Sequence, residues 1–265
     1  MSDLDRNYAS PFGRAAGRAD AATVDAGLRS YMLRIYNYMT IGLAITGLAA
    51  LGIYMLAVAD GSSADAIRIG KLYLTPIGYA IYVGPLKWLF MLAPLGMVFA
   101  ISAGINRFTP ATTQLLFWIF SALMGISLSS IFLVYTHTSI VRVFFITAAS
   151  FGALSLFGYT TKRDMSGMGS FLLMGLFGII IASLVNFFVH SSASQFALSI
   201  IGVVVFTGLT AYDTQRIKSS YMQFAYADGP AGAAKRSVYD ALSLYLNFIN
   251  LFMLLLQLLG NRNNN

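Results

Sequence analysis

Residues 165–213 read MSGMGSFLLMGLFGIIIASLVNFFVHSSASQFALSIIGVVVFTGLTAYD, with no Asp, Glu, Lys or Arg until the last position, Asp213. A helix crosses the hydrocarbon core of a bilayer with about 20 apolar residues. The stretch is long enough for two crossings, divided at the polar run His190–Ser194. Asp213 then ends an apolar run and opens Thr214-Gln-Arg-Ile-Lys218. A carboxylate at membrane depth is costly and is kept where it has a partner or a task.

Composition extends this reading to the whole chain. The 265 residues are 57% hydrophobic and 10% charged, with a mean hydropathy of +0.71. A soluble domain carries about 25% charged residues. So few charges cannot cover a water-facing surface, and the expected class is an all-α polytopic membrane protein. There is no cysteine, which excludes disulfides and thiolate metal sites. All ten acids are Asp, for which we have no physical account. The net charge of +7 sits at the ends of apolar runs, so it reads as membrane topology rather than nucleic-acid binding.

Charge-free windows predict seven spans, at about 35–59, 86–106, 113–135, 142–161, 169–189, 195–213 and 240–260. They form one membrane domain over 31–262. Pro94 predicts a kink in the second span. Residues 60–87 are ambiguous, since Tyr79–Gly84 suits either a longer second span or a re-entrant piece. Residues 1–30 read as a polar cytoplasmic tail, flexible over 1–20. It lacks the apolar core and cleavage site of a secretory signal, which makes the first span a retained anchor.

Seven spans place twelve basic residues on the side of the tail, among them Arg107, Lys162, Arg163, Arg216 and Lys218. The other side holds five: Arg68, Lys71, Lys87, Arg142 and Arg262. Basic residues favour the cytoplasmic side, so the N-terminus is expected there. Arg107 and Asp213 then end the second and sixth spans on one side, at depths that allow an ion pair. Arg107 also reads as a plain flanking cation.

Asp240, Ser243, Asn247, Asn250 and Gln257 recur at spacings of 3, 4, 3 and 7, which places them on one helical face. Amides facing lipid would go unpaired, so this face is expected to look into the bundle. Two readings stay open: interhelical hydrogen bonding and the lining of a pathway. Thr207, Thr210 and Thr214 share a face of the sixth span beside Asp213, and Asn186 with Ser183 adds polar groups to the fifth.

Other chemistries find little support. Ser127 and Ser129 on the third span lack a nucleophile loop, and His137 and His190 sit at the outer span ends. The seventh span has no Lys for a retinal Schiff base. Two lone histidines make a poor transition-metal set. No enzyme and no cofactor is expected.

Four segments carry a specific likeness: Asn37–Gly47, Gly158–Asp164, Thr210–Lys218 and Ala241–Phe252. Together they resemble the Bax inhibitor-1/YccA family, over about Arg29 to Arg262. The resemblance implies a seven-helix fold with the seventh helix enclosed by the other six, in a bacterial inner membrane. It implies a pH-sensitive calcium leak, in which two aspartates share a proton-dependent hydrogen bond and an arginine latches to them. Carried over by position, the first aspartate is Asp213, a transient calcium contact, and the arginine is Arg107. The second falls on Asn247, which breaks the pattern. Two touching carboxylates cannot both ionise easily, whereas Asn247 bonds Asp213 without repelling it. Weaker pH gating, or gating at lower pH, is therefore expected, with poorer calcium binding. Asp240 and Asn250 complete the candidate pathway, Asp240 as a distant substitute acid. A second function implied by the resemblance is modulation of a membrane-bound AAA protease through the N-terminal tail. Expected partners are thus lipid, calcium and that protease, with no nucleic acid.

Overall fold

The computed structural model describes residues 11–59, 67–69, 72–104, 107–224 and 229–263, and, Pro230 apart, side chains from Val24 onward. Among the described residues, nine helices and a hairpin follow in the order α1 (Pro11–Ala57), β1 (Ile67–Ile69), β2 (Leu72–Leu74), α2 (Pro76–Tyr82), α3 (Leu86–Ala103), α4 (Pro110–Leu128), α5 (Ile131–Val134), α6 (His137–Thr160), α7 (Ser166–Val189), α8 (Ser192–Phe224) and α9 (Gly229–Leu259). Seven described segments are long and apolar enough to cross a membrane: Val24–Ala57, Leu86–Ala103, Pro110–Val134, His137–Thr160, Ser166–Val189, Ser192–Phe224 and Ala231–Leu259. The chain is an all-α polytopic membrane protein.

Local chemistry sets several boundaries. Thr75, Thr109 and Thr136 each accept a hydrogen bond from a backbone N–H of the helix that follows, and proline takes the first position of α2 and α4. The expected break after the fifth span falls at His190, in the left-handed region at φ 55°. Pro94 lies inside α3. The third span runs as α4 and α5, interrupted at Ser129–Ser130.

Four boundaries differ from the sequence reading. The tail is not flexible throughout, because α1 is helical from Pro11, and residues 1–10 lie outside the described residues. From Leu28 on, a buried apolar stripe of Leu28, Tyr31, Met32, Ile35 and Met39 carries the packed face of α1 ahead of the first span. The ambiguous linker holds the β1–β2 hairpin and α2, a helix separate from α3. The sixth span continues past Asp213 to Phe224, and the seventh helix starts at Gly229. Charged residues at a helix end need not stop a helix, since Lys and Arg are good helix formers.

α9 is the central helix. α1, α4, α6 and α8 pack directly on it. α3 reaches it where Tyr239 of α9 donates to the Ile101 carbonyl at 3.2 Å, and α7 shares an apolar cluster with it through Leu172 and Leu251. In lipid, helices associate by close packing and hydrogen bonds rather than by escape from water. Both are visible at Tyr245, which is fully buried between Phe117 and Phe120 at ring distances of 5.7 and 5.6 Å. Its hydroxyl lies 2.6 Å from Thr46 Oγ1 on α1. Gly158 lets α6 approach α8, since a Cβ there would stand 2.2 Å from the Ala211 carbonyl oxygen. At the opposite end of the bundle, Asn263 bonds the Val134 carbonyl through its backbone N–H and ties the C-terminal segment to the end of α5.

Candidate functional site

The buried face of α8 carries Thr210, Asp213, Thr214 and Ile217. Asp213 is 9% exposed, and both its carboxylate oxygens are engaged. Oδ2 accepts from Asn247 Nδ2 at 2.7 Å and from Ser243 Oγ at 3.0 Å, both on α9. Oδ1 meets Arg216 Nη2 at 3.0 Å, one turn along α8. The same guanidinium nitrogen donates to Ser243 Oγ at 3.3 Å. Ser243 thus stands between the acid and the arginine, and the four residues bind α8 to the central helix. Hydrogen bonds to a charged group contribute about 1.5–3 kcal/mol each. The Arg216 side chain is 47% exposed, so its share belongs near the low end for exposed ion pairs, about 0–1 kcal/mol. The α9 amide and hydroxyl therefore carry most of the linkage.

A second acid lies one turn from Ser243. Asp240 accepts from the Tyr31 hydroxyl at 2.6 Å, which joins α9 to α1. A hydroxyl chain runs on the other side of Asp213: Tyr36 lies 2.5 Å from Ser155, and Ser155 lies 2.9 Å from Thr214, which donates to the Thr210 carbonyl. These contacts join α1, α6 and α8 at the same level.

The structure brings together Asp213 and Asn247, and it does not bring Arg107 to them. Arg107 is exposed in the turn between α3 and α4. Among the described residues, Asp213 forms its ion pair with Arg216. Three residues separate the two in sequence, the spacing at which opposite charges meet on a helix, so the signal was present. Asp240 is held by Tyr31 and is not a ligand of the Asp213 group. Asn250 turns back to the Leu246 carbonyl of its own helix, and Gln257 accepts from Ser199 of α8. Asn186 caps the α7–α8 turn by accepting from the Ser191 N–H. The polar stripe of α9 is therefore divided among α1, α8 and itself. Tyr31 and Tyr36 escaped the sequence reading because they lay in a segment taken as tail or span edge.

With this geometry in place, comparison with known proteins is informative. The chain matches the family described as "Inhibitor of apoptosis-promoting Bax1" across residues 28–264. It is 46% identical over 240 residues to "Uncharacterized protein RP147" of Rickettsia prowazekii, covering 91% of this chain and 93% of that one. It is 43% identical over 260 residues to an uncharacterized protein of Caulobacter vibrioides, covering 98% of each. It is 44% identical over 237 residues to the "Inner membrane protein YbhL" of Escherichia coli K12, covering 89% of this chain and 94% of that one.

Proposed function

This chain belongs to the Bax inhibitor-1/YccA family, and we propose that it is an inner-membrane calcium leak closed at one end by the Asp213 group. The observation that carries this reading is the buried carboxylate of Asp213, held at 2.7 Å by Asn247 of the central helix. A buried acid inside a span is expensive and marks pathways and proton relays. The closure joins α8 to α9 through Asn247, Ser243 and Arg216. The basic end of the bundle, with Arg216, Lys218, Lys162 and Arg163, is its cytoplasmic end by the distribution of charge.

The sign of the pH response follows from the bonds. Ionised Asp213 accepts from Asn247 and Ser243 and pairs with Arg216. Protonation removes the charge and weakens all three contacts. Leak is thus lowest with the acid ionised and rises on acidification. One carboxylate senses protons alone, and a permeating calcium ion meets one charged oxygen pair rather than two. The test is calcium flux in proteoliposomes across pH. Loss of the pH response in Asp213→Asn is expected, and an unchanged profile would overturn the assignment. Arg107 stays a candidate latch for a state in which α3 moves toward α8, and Asn250 and Asp240 a candidate lining.

A second reading is modulation of a membrane-bound AAA protease. It rests on the polar, Arg- and Ala-rich tail of residues 1–30, with Arg6, Arg14, Arg18 and Arg29. Deletion of residues 2–20 is expected to abolish co-purification with such a protease while leaving flux intact. Retained co-purification would exclude it.

A further inference from the structure

Between α1 and α6 the outer wall of the bundle opens as a groove of about 1230 Å³, floored by Phe248 and Phe252 of α9. Its rims face outward: Leu48 is 72% exposed on α1, and Phe145 is 66% exposed on α6. Glycines thin both walls. Gly47 and Gly152 line the groove, and a Cβ built on either meets nothing within 4 Å. From Arg29 to Leu51 the α1 wall rises about 33 Å at 1.5 Å per residue, close to the roughly 30 Å of a hydrocarbon core. An opening of this kind inside the spans faces acyl chains, not water.

The two ends of the groove differ. One is wholly apolar, at Leu128, Ile131 and Phe132. The other is closed by Arg29 and Tyr159. Arg29 is exposed. The Tyr159 carbonyl accepts from Lys218 Nζ at 2.8 Å, and that ammonium lies 5.1 Å from its ring. A guanidinium at one end of a long apolar trough, with the Lys218 ammonium held on the neighbouring Tyr159, matches an amphiphile with a phosphate head.

We propose that this groove holds one anionic phospholipid from the leaflet at the Arg29 end, with an acyl chain on Phe248 and Phe252 and its phosphate at Arg29. Asp213 does not line the groove, although Tyr36 and Ser155 do, and the proposal needs no assumption about ion flux.

The test is native mass spectrometry of the detergent-purified full chain, titrated with dioleoyl phosphatidylglycerol or dioleoyl phosphatidylcholine. A cation near an anionic headgroup is worth about fivefold in affinity, so phosphatidylglycerol is expected to bind tighter by about that factor. Arg29→Gln is expected to remove the preference and leave weak binding of both lipids. Gly152→Phe, which fills the groove, is expected to abolish binding. Gly47→Phe makes the same test from the opposite wall if that variant fails to fold. Gly178→Phe, on α7 with equally open space, is the control and should bind as wild type. Equal binding of the two lipids by wild type would overturn the proposal, as would undiminished binding by both groove-filling variants. So would a dimer that they abolish, since a second copy would then be the occupant.

Discussion

Asn247 donates its side-chain amide to Asp213 at 2.7 Å, which places one neutral donor and one acid at the contact between the central helix and α8. An amide in this position serves the ionised acid well. It cannot share a proton with it as a second carboxyl would.

Asn247→Asp would put two carboxyls in that contact. They cannot both ionise easily at this distance, so the pair would share a proton. The pH at which calcium flux changes is expected to move upward in proteoliposomes. An unmoved profile would show that Asn247 does not set the response.

Arg216 and Arg107 compete as the cation of the closure. Arg216→Gln is expected to raise calcium flux at neutral pH, because it removes the cation found at 3.0 Å from Asp213. The effect on thermal stability should be small, about 0–1 kcal/mol, since the side chain is half exposed. Arg107→Gln, at an exposed turn, is expected to change flux less than Arg216→Gln and to leave thermal stability unchanged. A larger flux change at Arg107 would show that the Arg216 pair is not the closing one.

Tyr31→Phe deletes the hydrogen bond from α1 to Asp240 and leaves the acid without that donor. Interhelical hydrogen bonds in membranes average about 0.6 kcal/mol and reach about 1.7. The expected result is a lower unfolding temperature in detergent, with no change in the Asn247-dependent pH shift. A shift that moved with Tyr31 would join the two acids into one unit.

Gly158→Leu tests the approach of α6 to α8, where a Cβ would stand 2.2 Å from a backbone oxygen of Ala211. Backbone cannot yield as a side chain can, so α8 must move, at a cost of about 1–3 kcal/mol. Because α8 carries Asp213, the leak is expected to change with the stability. Gly152→Leu, six residues earlier on α6 and in open space, should leave stability unchanged in the same thermal assay.

The seven spans, the inward face of α9 and the burial of Asp213 were legible in the sequence. Each rests on a local rule: about 20 apolar residues per crossing, 3.6 residues per turn, and the cost of a charge in hydrocarbon. The cation on Asp213 was misread: the sequence reading paired it with Arg107, whereas Arg216 lies one turn along the same helix, a local spacing that the sequence already held. Only the tertiary structure decided the pairing of Tyr31 with Asp240 and of Tyr36 with Ser155, more than 100 positions apart in the chain. The buried stripe of α1 that begins at Leu28, ahead of the first span, was likewise hidden, because it is interleaved with Arg29 and Arg34. Periodicity is a property of one helix. Which faces meet is a property of all of them packed together.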